Sequence, residues 1–244
     1  MTMLVPRTQG MAGTGAQGPG EDMDFAEARR MMVLGQLTPN TVSDPLLLQA
    51  MGEVPRELFV PPAARHRAYA DEAVPLGSGR AMMTPMAIGR LLQSLQPQPG
   101  ERALVLGAGT GYGAAILARM DLDVVAIESD AALVALGKAA LDFALAGHRP
   151  LLRQGDPLKG WPVGAPFRVI LIEGGIERVP SELWAQMGEG GRAAAIRQGG
   201  APSGGRVGRA ALFRRVGGTV TETAGFDAVA PVLPEFRAAP GFVF

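Results

Sequence analysis

"ALVLGAGTGYGAA", residues 103–115, decides the fold. The apolar run Ala103 to Leu106 leads straight into Gly107, Gly109 and Gly111, and the helix-forming "YGAAILARM" follows. A short, unbroken apolar run reads as a strand buried on both faces. Glycines after it turn the chain sharply and let its backbone approach a ligand closely. A strand, a glycine turn and a helix in that order open a parallel sheet, with the ligand expected at the strand's carboxyl end.

Downstream, the alternation continues. "LDVVAIE" reads as a strand, "DAALVALGKAALDFALAG" as a long helix and "RPLLRQGD" as a short strand. "FRVILIEGG" is a strongly buried strand, "PSELWAQM" a helix and "GRAAAIR" another strand. Strands joined by helical crossovers predict an α/β fold with a doubly wound, mostly parallel, Rossmann-like sheet. "GRAALFRRVGGTVTETAGFDAV" breaks the rhythm with two β-like runs around Gly217-Gly218, an antiparallel C-terminal hairpin.

Upstream of "QPQPGE" lies an N-terminal helical extension. Asp24 caps a helix expected to reach about Leu37, with Phe25, Ala28, Met32 and Leu34 on or near one face. Ser43-Asp44-Pro45 starts a second helix, with proline where its missing N–H is harmless. "PRELFVPPAARHRAYADEAVPLG" reads as short helices and loops, and Thr84-Pro85 opens a third helix carrying Ile88, Leu91, Leu92 and Leu95. The expected organisation is a disordered tail over 1–22, a helical and loop region over 23–98 and a ligand-binding core over 99–244.

Composition removes several chemistries. Lys+Arg and Asp+Glu are equal at 23 each, so there is no net-charge footprint for nucleic acid or an anionic membrane. The absence of cysteine removes thiol catalysis, disulfides and cysteine-based zinc sites, and His66 and His148 lie far apart. No metal site is expected. No apolar run reaches the roughly 18 residues of a membrane helix, and the N-terminus has no signal-peptide core. These readings point to a cytoplasmic enzyme or binding protein.

Glu128 ends the strand after the glycine loop, where a carboxylate can take both hydroxyls of a ribose. Loop and acid together indicate a nucleoside-containing cofactor. The dinucleotide spacing fails from Gly107, because Tyr112 stands at its last position. A frame from Gly109 ends at Ala114 and leaves NAD(P) open. The G-x-G-x-G form is more typical of S-adenosylmethionine sites.

"VLGAGTGYGAAILA", "GDPLKGWP", "GAPFRVILIEGG" and "GGRAAAI" occur in the order found in protein-L-isoaspartate O-methyltransferases. "GQLTPNTVSDPLLLQAMGEVPRELFVPPAARHRAYADEAVPLGSG" resembles the same family's N-terminal region and is the more specific part. The resemblance runs from about residue 25 to about residue 200. It implies an S-adenosylmethionine site at Gly107, Ala108, Gly109 and Gly111, with Glu128 on the ribose and Asp156 near the adenine. The activity it implies is repair of proteins by methylation of the α-carboxylate of L-isoaspartyl residues. A monomer acting on isoaspartyl proteins or peptides is expected.

The chain departs from the family pattern chiefly in the substrate loop. The family's G-x-G-Q-T-I-S-x-P is here Gly77-Ser78-Gly79-Arg80-Ala81-Met82-Met83-Thr84-Pro85, so Met83 holds the position of the catalytic serine. Thr84, one position on, offers a hydroxyl but reads first as a helix N-cap. Arg80 can pair with a substrate carboxylate or stand in solvent. Met82 and Met83 are either apolar lining or core. Val105 replaces an acid, Pro157 a glycine and Arg168 an aspartate, and Glu173-Gly174-Gly175 replaces a "TAA"-like run. Glu173 falls at the sheet's carboxyl edge beside the expected methyl donor, as a site residue or a solvent-facing acid.

Overall fold

The computed structural model describes residues 24–145, 147, 149–198 and 207–238. The expected tail and His148 lie outside them. A seven-stranded sheet runs in the order β5-β4-β3-β6-β7-β8-β9. Its strands are β3 (Arg102–Leu106), β4 (Asp123–Glu128), β5 (Leu151–Gln154), β6 (Phe167–Ile176), β7 (Met187–Arg197), β8 (Val207–Val216) and β9 (Thr219–Val229). The first five pair in parallel, and β8 and β9 join the β7 edge antiparallel, with Gly217 and Gly218 at positive φ in the turn.

From β3 the chain winds outward through β4 and β5, then crosses back to β6 and β7 on the other side. The order therefore switches between β3 and β6, the place where sheets of this kind leave a crevice at their carboxyl ends. Each helix start has a local cause. Asp24, Asp44 and Asp130 accept backbone N–H bonds ahead of α1 (Phe25–Met32), α2 (Pro45–Glu53) and α5 (Ala131–Ala144). Thr84 does the same for α3 (Pro85–Leu95), accepting the Ala87 N–H at 3.1 Å. Gly111, at φ 86°, leads into α4 (Tyr112–Arg119).

These helices pack with Val105, Val124, Ala126, Val169 and Leu171 in one core. A second core on the opposite face holds Leu104, Leu106, Ile127, Ile170 and Ile172. The short α6 (Ser181–Trp184), Trp161 and the C-terminal residues Leu233 and Phe236 pack on that side.

Two expectations need correction. The first helix ends at Met32 and relaxes into a π-helical turn over Val33–Leu37, and Leu34 points outward at 53% exposure. The loop expected over residues 77–85 is mostly a hairpin of β1 (Val74–Gly77) and β2 (Arg80–Met82). Its turn, Gly77-Ser78-Gly79, lies wholly at positive φ, which the two glycines tolerate readily.

Candidate active site

The three glycines of the loop adopt positive φ: 63° at Gly107, 55° at Gly109 and 86° at Gly111. Ala108, between the first two, is buried and donates its N–H to the Ile127 carbonyl at 3.1 Å. The loop therefore lies against the end of β4, and Gly109 donates its N–H to Glu128 Oε2 at 2.8 Å.

Glu128 is fully buried. Its Oε1 accepts the Asp130 N–H at 3.0 Å, Arg80 Nη2 at 3.0 Å and Arg80 Nε at 3.2 Å. Arg80 Nη2 also donates to Ser129 Oγ at 3.1 Å and to Glu235 Oε1 at 2.7 Å. Arg80 thus does not stand in solvent; it neutralises Glu128 from inside and pairs with Glu235 as well. The sequence reading missed Ser129 and Glu235, because no local pattern ties residues at those separations to Arg80.

Met83 is 1% exposed and belongs to the helical core, as does Met82. The buried Arg56 donates Nη2 to the Met83 carbonyl and Nε to the Ala68 carbonyl, fastening both ends of the hairpin region. Thr84 is committed to the helix cap. Its hydroxyl is replaced by nothing in Thr84→Ala, and the loss is expected to be about 1 kcal/mol of stability. Thermal melts should show a fall of about 2–4 °C; an unchanged melt would mean solvent serves the Ala87 N–H equally well.

Glu173 lies within the buried run of β6 at 7% exposure. It accepts the Gly113 N–H, while its Oε2 has no hydrogen-bond partner. Burial pushes its carboxyl up to about 8, against the opposing pull of that N–H and of Arg56. A Cβ on Gly113 would lie 2.5 Å from Glu173 Oε2, so this glycine is what lets the acid in. Asp156 is exposed and accepts the Leu158 N–H at 2.9 Å. It lines an open groove of about 540 Å³ with Ser129, Gln154, Gly155, Leu158 and Glu235.

In kind, these groups suit a nucleoside cofactor. A glycine loop and a strand-end carboxylate meet beside the switch point of a parallel sheet, and a second acid follows the neighbouring strand β5. In this conformation the inner half is filled. Only about 10 Å³ remains between Leu76, Arg80, Met82, Gly107, Gly109, Glu173 and Leu233, room for about one water. Among the described residues no cluster of three metal-ligating side chains occurs.

Fold and site together define a Rossmann-like, S-adenosylmethionine-dependent methyltransferase class. The sequence model for protein-L-isoaspartate(D-aspartate) O-methyltransferase matches residues 28–197. Protein-L-isoaspartate O-methyltransferase 1 of Rhodopseudomonas palustris (strain HaA2) is 40% identical over 185 residues, covering 75% of each chain. The protein-L-isoaspartate O-methyltransferase of Methylorubrum extorquens (strain PA1) is 43% identical over 169 residues, 69% of this chain and 73% of that one. A solved protein-L-isoaspartate O-methyltransferase superposes with a TM-score of 0.71 at 22% identity, over 84% of this chain and 65% of its own. A Plasmodium falciparum structure described as a putative member, in complex with S-adenosyl-L-homocysteine, gives 0.68 at 16% identity over 85% and 98%. The chain belongs to the protein-L-isoaspartate (D-aspartate) O-methyltransferase family, whose members are S-adenosylmethionine-dependent protein carboxyl methyltransferases. No helix among the described residues is long and apolar enough to cross a membrane.

Proposed function

We propose that this chain methylates a carboxylate of isoaspartyl residues in proteins, acting as a monomer in the cytoplasm. The observation that carries the reading is the meeting of the glycine loop and Glu128 beneath Arg80 of the hairpin, with Asp156 in the groove beside Ser129 and Glu235. The lack of cysteine suits a reducing compartment.

When bound, S-adenosylmethionine supplies the methyl group. Gly107 and Gly109 would hold its inner part, Glu128 the ribose and Asp156 the adenine side. A carboxylate is already nucleophilic at neutral pH, so the chain has alignment and water exclusion to provide rather than a strong base. On this reading Met83 in the serine position is compatible with the reaction, because no proton must be moved there.

One observation favours a second acceptor class. Glu173 lies near the carboxyl end of β6 with an unpartnered, desolvated oxygen; held up to about 8, its carboxyl can take a proton from an amine or hydroxyl only as pH rises towards that value. Incubation with labelled methyl donor and either an isoaspartyl peptide or its lysine- or serine-bearing counterpart separates the two. Base-labile methyl ester on the isoaspartyl peptide is the expected result. Donor binding with label only on the amine or hydroxyl peptide would overturn it.

A further inference from the structure

The crevice between β3 and β6 should be open to a ligand, yet the chain fills it with its own C-terminal segment. β3 pairs with β6 only as far as Leu106 opposite Ile172. Beyond that point, residues 231–233 run parallel to β6 in the place β3 has left. Gly175 donates its N–H to the Pro231 carbonyl at 2.8 Å, and Leu233 donates its N–H to the Gly175 carbonyl at 2.9 Å. Leu233 then drops its side chain onto the glycine loop. A Cβ on Gly107 or on Gly174 would each lie 2.6 Å from a Leu233 carbon. A Cβ on Gly175 would lie 3.0 Å from the Ala230 and Pro231 carbonyl oxygens. Two residues further on, Glu235 meets Arg80.

The hairpin closes the other side. Leu76 approaches Gly109, where a Cβ would lie 3.0 Å from it. Ser78 hydrogen-bonds the Asp130 side chain at the start of α5. Arg80 spans the gap, bonded at once to Glu128 and Glu235 at 4% side-chain exposure. Strap and hairpin are therefore joined by a single guanidinium over the carboxylate that a ribose would need.

We infer that the donor site is latched from within: Arg80 and the strap residue Leu233 compete with the cofactor's ribose and amino-acid arm. The Gly174-Gly175 pair makes the space through which the strap passes. Binding requires that the Arg80–Glu235 contact part and that Leu233 leave Gly107. The groove beside Asp156 is open in this conformation. The inference rests on the proposed function only for the identity of the excluded group.

The test uses the full chain and titration calorimetry with S-adenosylmethionine and S-adenosylhomocysteine. Arg80→Gln together with Leu233→Ala should bind either compound at least tenfold more tightly than the wild type. Arg80→Gln alone, which leaves the apolar packing intact, should show part of the gain. Both variants should also gain more melting temperature from S-adenosylhomocysteine than the wild type does, and hydrogen exchange over residues 230–236 should speed up when the donor binds. Equal affinity of wild type and folded variants overturns the latch, whether that affinity is high or undetectable. A variant that binds tightly but forms no ester on an isoaspartyl peptide leaves the latch standing and removes the proposed function.

Discussion

Glu128→Ala is expected to lower the melting temperature by about 10 °C, although the sequence presents Glu128 as a ligand-facing acid at a strand end. The carboxylate is fully buried and holds two backbone N–H groups, of Gly109 and Asp130, besides Arg80. Removing it strands those donors and leaves a buried guanidinium with Glu235 as its remaining acidic partner. Breaking a buried ion pair from one side costs about 3–5 kcal/mol. The surviving Glu235 contact places this case near the lower end. At about 2–4 °C per kcal/mol for a chain of this size, the loss is readily measured by calorimetry. Adding Arg80→Met to Glu128→Ala should recover part of it, since no stranded cation remains. A melting temperature within about 1 °C of the wild type would mean that water reaches the pair and that the carboxylate is dispensable to the fold.

Glu173→Gln is expected to change how stability depends on pH. Burial pushes the Glu173 carboxyl from an ordinary 4.5 up to about 8. Between those values the folded chain keeps a proton that the unfolded chain releases. Stability contributed by this group is therefore full below about pH 4.5, declines as pH rises, and levels off above about pH 8. At about 1.4 kcal/mol per unit, the decline between pH 5 and pH 8 is at most roughly 4 kcal/mol. Glutamine does not titrate, so the stability of Glu173→Gln relative to wild type should rise by up to that amount from pH 5 to pH 8. Urea unfolding of both chains at the two pH values measures it, and contributions from other titrating groups largely cancel in the difference. Parallel stabilities would mean that Glu173 is hydrated and ionised in the folded chain. The neutral acid also bears on chemistry, because a protonated Glu173 at neutral pH adds no negative charge beside an incoming isoaspartyl carboxylate.

Much of the frame was legible because its signals are local. The apolar run before Gly107 marks a buried strand, and the crossover rhythm after it marks a parallel sheet. Asp44-Pro45 and Thr84-Pro85 start helices through bonds that span three residues. The hairpin at residues 74–82 escaped notice because its strands have four and three residues, too short for a period of two to show. Asp156 follows β5 and lines an open groove there with Ser129 and Glu235.

The sequence by itself determined the strand order's local units, the glycine loop and the acids at the strand ends, since each depends on neighbours a few residues away. Only the tertiary structure decided what those acids do. Arg80 reaches Glu128 across 48 residues and Glu235 across 155. Leu233 reaches Gly107 and Gly174 from the far end of the chain. Such pairings follow from which surfaces the folded sheet brings together, and a buried guanidinium takes whichever carboxylates it meets there, because leaving water unpaired would cost several kcal/mol. No periodicity or spacing encodes that choice.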